Sequence, residues 1–267
     1  MRILLATCRA FGFALLLVAS RAAADQGVPA FEITTPQGSS SILLGTMHLG
    51  DPRIVQPSAT LLDGASRLVV ETERGEPPAR SPIGGLWPGA MADFVSTGHL
   101  RRAPWVGELT AQQIASLRDR IVCKLPDGQA DLTAQAVELT LAMRPMMAAF
   151  AAAYPCANNR LKSRDELLAD AARNRQVPIV GLESQTENEN QLESIPDSVW
   201  VENIRHSLPP EGDEHITSYI AALNAGDFDR IHQISVQFFD DPTHAQVLED
   251  QIVAGRNRAW MPRLENY

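Results

Sequence analysis

Short apolar runs that each end in one polar, chemically able side chain constrain this chain most. Ser41-Ile42-Leu43-Leu44 leads into Gly45-Thr46-Met47-His48, Arg67-Leu68-Val69-Val70 ends in Glu71, and Val177-Pro178-Ile179-Val180-Gly181-Leu182 ends in Glu183. Runs of this length bounded by turn residues read as buried β segments, too short for buried helices. The near-continuous apolar character of Leu68 to Glu71 fits a strand covered on both faces. If the first two runs are neighbours in one sheet, His48 and Glu71 emerge at the edge where open α/β sheets bind ligands. An imidazole and a carboxylate meeting there hold a metal ion or share a proton.

The segments between these runs read as helical. Phe31-Glu32-Ile33-Thr34, the turn Pro36-Gln37-Gly38-Ser39 and the strand Ser41–Thr46 predict an N-terminal hairpin, followed by a short helical stretch at Thr60–Ala65. Thr110 with Gln113 and Ser163 with Glu166 are capping boxes that open helices. Thr133 to Met143 predicts another helix, broken at Arg144 by Pro145. Beyond Asp197 the chain is mostly helical: Ile216, Tyr219, Ile220 and Leu223 share one face, and Phe228, Ile231, Ile234 and Phe238 another. The expected fold class is α/β, with a mixed β-sheet including the hairpin, a large helical insertion and a helical C-terminal part. The Pro- and Gly-rich stretch from Glu76 to Pro88 reads as a loop just past the strand that carries Glu71.

The first residues predict export. Arg2 and Arg9 precede the apolar run Phe11–Ala19, and Ala22-Ala23-Ala24 supplies small residues for cleavage. This is the pattern of a signal peptide over 1–24, leaving residues 25–267 as one α/β domain in the periplasm or secreted. Cleavage after Ala24 removes three arginines and no acid, taking the formal charge from −9 to −12. Such a chain is a poor partner for nucleic acid, whose phosphates need Lys and Arg, and no later segment is apolar for long enough to span a membrane. Two cysteines remain, Cys123 and Cys156. In an oxidising compartment an even pair points to a disulfide, the alternative being two buried thiols.

Each candidate residue has a functional and a plainer reading. His48 follows Gly45, which permits a sharp turn or close approach, and Asp51 lies near enough to orient the imidazole; otherwise His48 caps its loop. Glu71 and Glu183 end buried segments, where an unpaired carboxylate is costly. They need a metal, a cation or a hydrogen-bonding network. Arg256-Asn257-Arg258 lies on the last amphipathic stretch, where Arg256 is placed to neutralise a substrate carboxylate or an oxyanion; a solvated helix face is the alternative. His206, His215, His232 and His244 sit in mixed-polarity helical surroundings, and His-Glu-x-x-His, Gly-x-Ser-x-Gly and phosphate-loop patterns are absent.

Taken in order, Gly45-Thr46-Met47-His48, Glu71, Met143-Arg144-Pro145, Val180-Gly181-Leu182-Glu183, Ala225-Gly226-Asp227 and Arg256-Asn257-x-x-Trp260 resemble the TraB/GumN family. The resemblance covers nearly all of the mature chain. That family is similar to the Tiki proteins, metal-dependent proteases that use manganese or cobalt, and is related to erythromycin-esterase-like hydrolases. The resemblance implies that His48 matches the histidine of the first Gly-x-x-His, Glu71 the acid after the next strand, Glu183 the Gly-Leu-Glu carboxylate, and Arg256 with Asn257 the late Arg-Asn pair. It implies an exported hydrolase that cleaves a peptide or ester bond with a divalent ion held by His48, Glu71 and Glu183. Arg256 and Asn257 then contact the substrate. Family members usually continue into a strand with a second Gly-x-x-His, whereas this sequence stops at Tyr267. The expectation from that departure is an open sheet edge, belonging either to a truncated product or to a sheet that an oligomer completes. The alternative function is a non-catalytic periplasmic binding module whose site has decayed, recognising a peptide, glycan or partner protein.

Overall fold

The computed structural model describes residues 28–36, 38–72, 85–125, 130–156 and 161–265. The signal peptide expected at 1–24 and residues 76–84 of the expected loop lie outside the described residues. Strands β1 (Ala30–Thr34) and β2 (Ser40–Leu44) form an antiparallel hairpin, with Phe31 opposite Leu43 and Glu32 opposite Ile42. Strands β3 (Leu68–Thr72) and β4 (Ile179–Glu183) pair in parallel, with Val69 opposite Val180 and Thr72 opposite Glu183. The rest is helical: α1 (Ala90–Thr97), α2 (Ala111–Val122), α3 (Ala130–Leu141), α4 (Pro145–Ala153), α5 (Arg164–Asn174), α6 (Gln185–Glu193), α7 (Asp197–Ser207), α8 (Glu211–Ala225), α9 (Phe228–Gln237), α10 (Pro242–Leu248) and α11 (Ala254–Leu264).

The α/β class, the hairpin, the helical middle and the helical C-terminal part are as the sequence implies. The strands divide differently. The hairpin and the parallel pair are separate two-stranded ladders. After β2 the chain turns onto α8 and does not run beside β3: Leu49 and Ile54 bury themselves with Ile216, Ile220 and Leu223.

Both capping boxes form, at Thr110–Gln113 and Ser163–Glu166. Arg144 is extended, as a residue before proline must be, and Pro145 becomes the first residue of α4. Proline therefore starts a helix here as well as ending the one before. Helix α6 is unforeseen because Gln185–Glu193 buries no residue and has no apolar stripe; its one sequence signal is a third capping box, Ser184 with Glu187.

The main core joins α2, α3, α4 and α7 through Leu117, Leu141, Ala148, Ala152, Val199 and Ile204, all nearly inaccessible to solvent. The alanines of α4 bring it close to α7. Trp105 donates its indole N–H to the Met143 carbonyl at 2.8 Å, which anchors the entry to this core. A disulfide joins Cys123, after α2, to Cys156, after α4, with Cα atoms 5.3 Å apart. Helix α5 packs on both strands of the parallel pair, and α11 packs on β4. Those two helices frame the strand ends. Among the described residues no helix is long and apolar enough to cross a membrane.

Candidate functional site

His48 lies on a loop held at both ends. Arg164, fully buried in the first turn of α5, donates to the Gly45 carbonyl at 2.5 Å and to the Val55 carbonyl at 2.7 Å. From α8, Asn224 accepts the Val55 N–H at 3.0 Å and donates to the Arg53 carbonyl at 2.7 Å. Gly50 is required for space: a Cβ there would lie 2.0 Å from the Leu161 carbonyl oxygen. Gly45 likewise faces Phe228, whose ring a Cβ would meet at 2.9 Å, so its role is close approach.

Asp51 does not orient the imidazole. Its carboxylate turns back into its own loop and takes the Arg53 guanidinium at 2.7 and 2.9 Å. The partner of His48 is Asp165, whose Oδ2 lies 2.6 Å from Nδ1. Asp165 sits in the first turn of α5, fixed there by the Ser163–Glu166 capping box. The sequence marks that helix start but gives no sign that it faces a residue 117 positions away.

The other ring nitrogen of His48, Nε2, lies 3.5 Å from Glu71 Oε2. That oxygen also accepts from Arg256 at 3.0 Å. Arg256 reaches past Glu71 to Glu183, donating at 2.6 and 3.3 Å. Glu183 further accepts from Thr72 at 3.1 Å, Asn188 at 2.8 Å and the Trp260 indole at 3.1 Å. The guanidinium of Arg256 lies 4.5 Å over the Trp260 ring. His48, Glu71, Arg256 and Glu183 thus form one contact chain across the loop after β2 and three elements, β3, α11 and β4. Asn257 is exposed on α11, and no hydrogen bond joins it to these residues.

Arg256, Trp260 and Arg263 recur at helical spacing and face β4 and α6, where Arg263 contacts the Leu182 carbonyl and pairs with Glu187 at 2.6 Å. The helix reaches this phase after a π turn at Glu249–Val253. Gln191 of α6 pins that turn by donating to the Gln251 carbonyl at 2.5 Å.

The charges are mutually supporting. The Asp165 carboxylate, then Glu71, raises the His48 pKa to about 10 against the opposing effect of burial. His48 therefore carries two ring protons at neutral pH. The His48 imidazole and the Arg256 cation hold Glu71 below the usual carboxylate range. Burial pushes Glu183 up, but the hydrogen bonds from Arg256, Asn188 and Trp260 outweigh it and hold the group low. Tyr219, on α8, is raised by burial and by the Glu71 charge.

These residues differ in their fitness for a divalent ion. Two ligands on one ion at about 2.0–2.2 Å stand roughly 3–3.5 Å apart, and His48 Nε2 and Glu71 Oε2 match that separation at 3.5 Å. Asp165 on Nδ1 stands where an outer carboxylate would fix the imidazole if Nε2 held an ion. Glu183 accepts five hydrogen bonds, from Thr72, Asn188, Trp260 and twice from Arg256, which exceeds the about four lone-pair sites of a carboxylate. A different group also offers ligand atoms to a metal: Glu202, His206 and Asp240, mutually within 4.8 Å. Sequence reading passed over it by treating His206 as ordinary; the signal is the four-residue spacing of Glu202 and His206 on α7.

A family model described as the TraB/PrgY/gumN family matches residues 30–267. No curated protein and no solved structure gives a match.

Proposed function

The chain belongs to the TraB/PrgY/gumN family, and on that premise we propose that it is an exported, metal-dependent hydrolase acting on a peptide or ester bond at His48 and Glu71. The observation that carries this reading is the His48 imidazole, held by Asp165 at 2.6 Å on one nitrogen and facing Glu71 at 3.5 Å on the other. The leader pattern of residues 1–24 and the Cys123–Cys156 bridge support an oxidising, extracytoplasmic location.

His48 Nε2 and Glu71 Oε2 are the groups that would hold the ion, manganese or cobalt by family resemblance. When bound, such an ion polarises a carbonyl and lowers the pKa of water. The chain's own residues prepare the site. Asp165 fixes the ring orientation. The high pKa of His48 makes metal uptake release a proton to solvent, so affinity rises with pH. Arg256 holds Glu71 in place and is itself anchored by Glu183. We assign Glu183 to that anchoring role and Glu71 to the chemistry.

A second reading, a binding module without turnover, is favoured by one fact: the Glu71 oxygen facing His48 already accepts from Arg256. The experiment that separates the two measures hydrolysis of generic peptide and ester substrates with added manganese or cobalt, comparing the parent with His48→Ala. The hydrolase reading expects activity that His48→Ala abolishes. Equal activity in both proteins rejects this centre. Absence of turnover, with no manganese uptake dependent on His48, favours the binding module.

A further inference from the structure

A second cluster lies on elements that contribute nothing to the His48 centre. Glu202 and His206 stand one turn apart on α7, and Asp240 follows α9 in the turn before α10. His206 Nε2 lies 3.2 Å from Asp240 Oδ2 and 3.8 Å from Glu202 Oε1. These separations are close to the edge of a tetrahedron whose centre bonds each corner at about 2.0–2.2 Å. The other nitrogen of His206, Nδ1, is 2.8 Å from Glu211 Oε1 at the start of α8. That carboxylate is placed to accept a proton from Nδ1, so that Nε2, which faces Asp240 and Glu202, is the nitrogen that would ligate an ion.

The acid at the centre is preset. Glu202 is almost completely buried, and its Oε1 accepts the backbone N–H groups of Asp240 and Asp241 at 2.6 and 3.0 Å. Its Oε2 is held by His244. Four carboxylates, of Glu202, Glu211, Asp240 and Asp241, surround His206 and His244. No Lys or Arg is paired with any of them among the described residues. The Glu183 cluster meets its acids with arginine; this one lacks such a cation. Asp240 is 83% exposed, which gives an ion a way in from solvent.

We propose that Glu202, His206 and Asp240 form a second divalent-cation site, suited to zinc, that fastens the turn between α9 and α10 to α7. The imidazole sets the class of ion: calcium and magnesium take oxygen ligands, whereas mixed imidazole–carboxylate sites suit zinc and its neighbours. The fourth position faces solvent beside Asp240.

The test titrates zinc chloride by calorimetry into chelator-treated protein carrying His48→Ala, so that the other centre is absent from the readout. One bound equivalent is expected. Asp240→Asn on that background should weaken binding by about tenfold or more, and Glu211→Gln, which loosens His206, by about tenfold. Zinc should raise the melting temperature of the His48→Ala protein and leave that of the Asp240→Asn double variant unchanged. Cobalt(II) supplies a second readout, because ligation by His206 gives visible absorption that His206→Gln removes. Failure of His48→Ala protein to take up zinc overturns the proposal, as does equal uptake after Asp240→Asn. Either result leaves the His48 hydrolase reading untouched.

Discussion

The two strands of the parallel pair each carry a glutamate at or next to the last position, yet the glutamates live in different company. Glu183, at the end of β4, is nearly inaccessible and accepts from Thr72, Asn188, Arg256 and Trp260. Glu71, near the end of β3, is 38% exposed and, among the described residues, pairs with Arg256 and His48. The register aligns Thr72 with Glu183, which leaves Glu71 one position short of the saturated partner. The same residue type after the same apolar run therefore has two outcomes. A carboxylate surrounded by donors is a fixed anchor; one with two partners and open access retains capacity for a ligand or a proton.

The sharpest way to break this comparison is to remove each acid in turn. Glu183→Ala leaves the poorly solvated Arg256 with Glu71 in place of two carboxylates and removes the acceptor of Thr72, Asn188 and Trp260, and should cost about 3 kcal/mol in urea denaturation. Glu71→Ala should cost about 1 kcal/mol or less, because its ion pairs are partly exposed, while lowering any hydrolytic activity by about a hundredfold or more. Equal stability losses in the two variants would erase the distinction between anchor and reactive group.

A smaller effect concerns the histidine. In an NMR titration His48 should titrate near pH 10, and Asp165→Asn should lower that value more than Glu71→Gln does, since Asp165 contributes most. The sign for stability follows from a folded pKa above the ordinary 6.5. The contribution is complete below pH 6.5 and is lost as pH rises through about 10. His48→Gln should flatten that part of the stability profile, as read from denaturation midpoints across the range. The smallest effect is expected for Thr72→Val, which removes one of several donors to Glu183 and should cost about 1 kcal/mol by the same denaturation measurement.

Local chemistry was legible in the chain, and long-range pairing was not. The apolar runs marked β2, β3 and β4, although β2 lies exposed in the hairpin, β3 is half-buried and burial is reached at the end of β4; the capping boxes marked α2 and α5 because helix starts must satisfy their own N–H groups. Glu71 and Glu183 stood out as acids ending apolar runs, His48 as the end of Gly-Thr-x-His and Arg256 as part of the late Arg-Asn run, and the four meet in one contact chain. Asp165 gave no such sign, being an ordinary first-turn acid whose role arises only when α5 packs beside the His48 loop. Asp51 was the closer acid in sequence, and Arg53 claimed it. Arg164 was hidden for the same reason: an arginine in a polar first turn reads as solvated until tertiary packing buries it.

The π turn at Glu249–Val253 makes the C-terminal helix sensitive to phase. An α-helix rotates by about 100° per residue, and a wide turn absorbs one residue that a regular helix would count. Deleting a single residue there would regularise the backbone and swing Arg256 and Trp260 away from Glu71 and Glu183. For this segment a change in length is thus more dangerous than a change in side chain, since the aim of the arginine is set by counting as much as by contact.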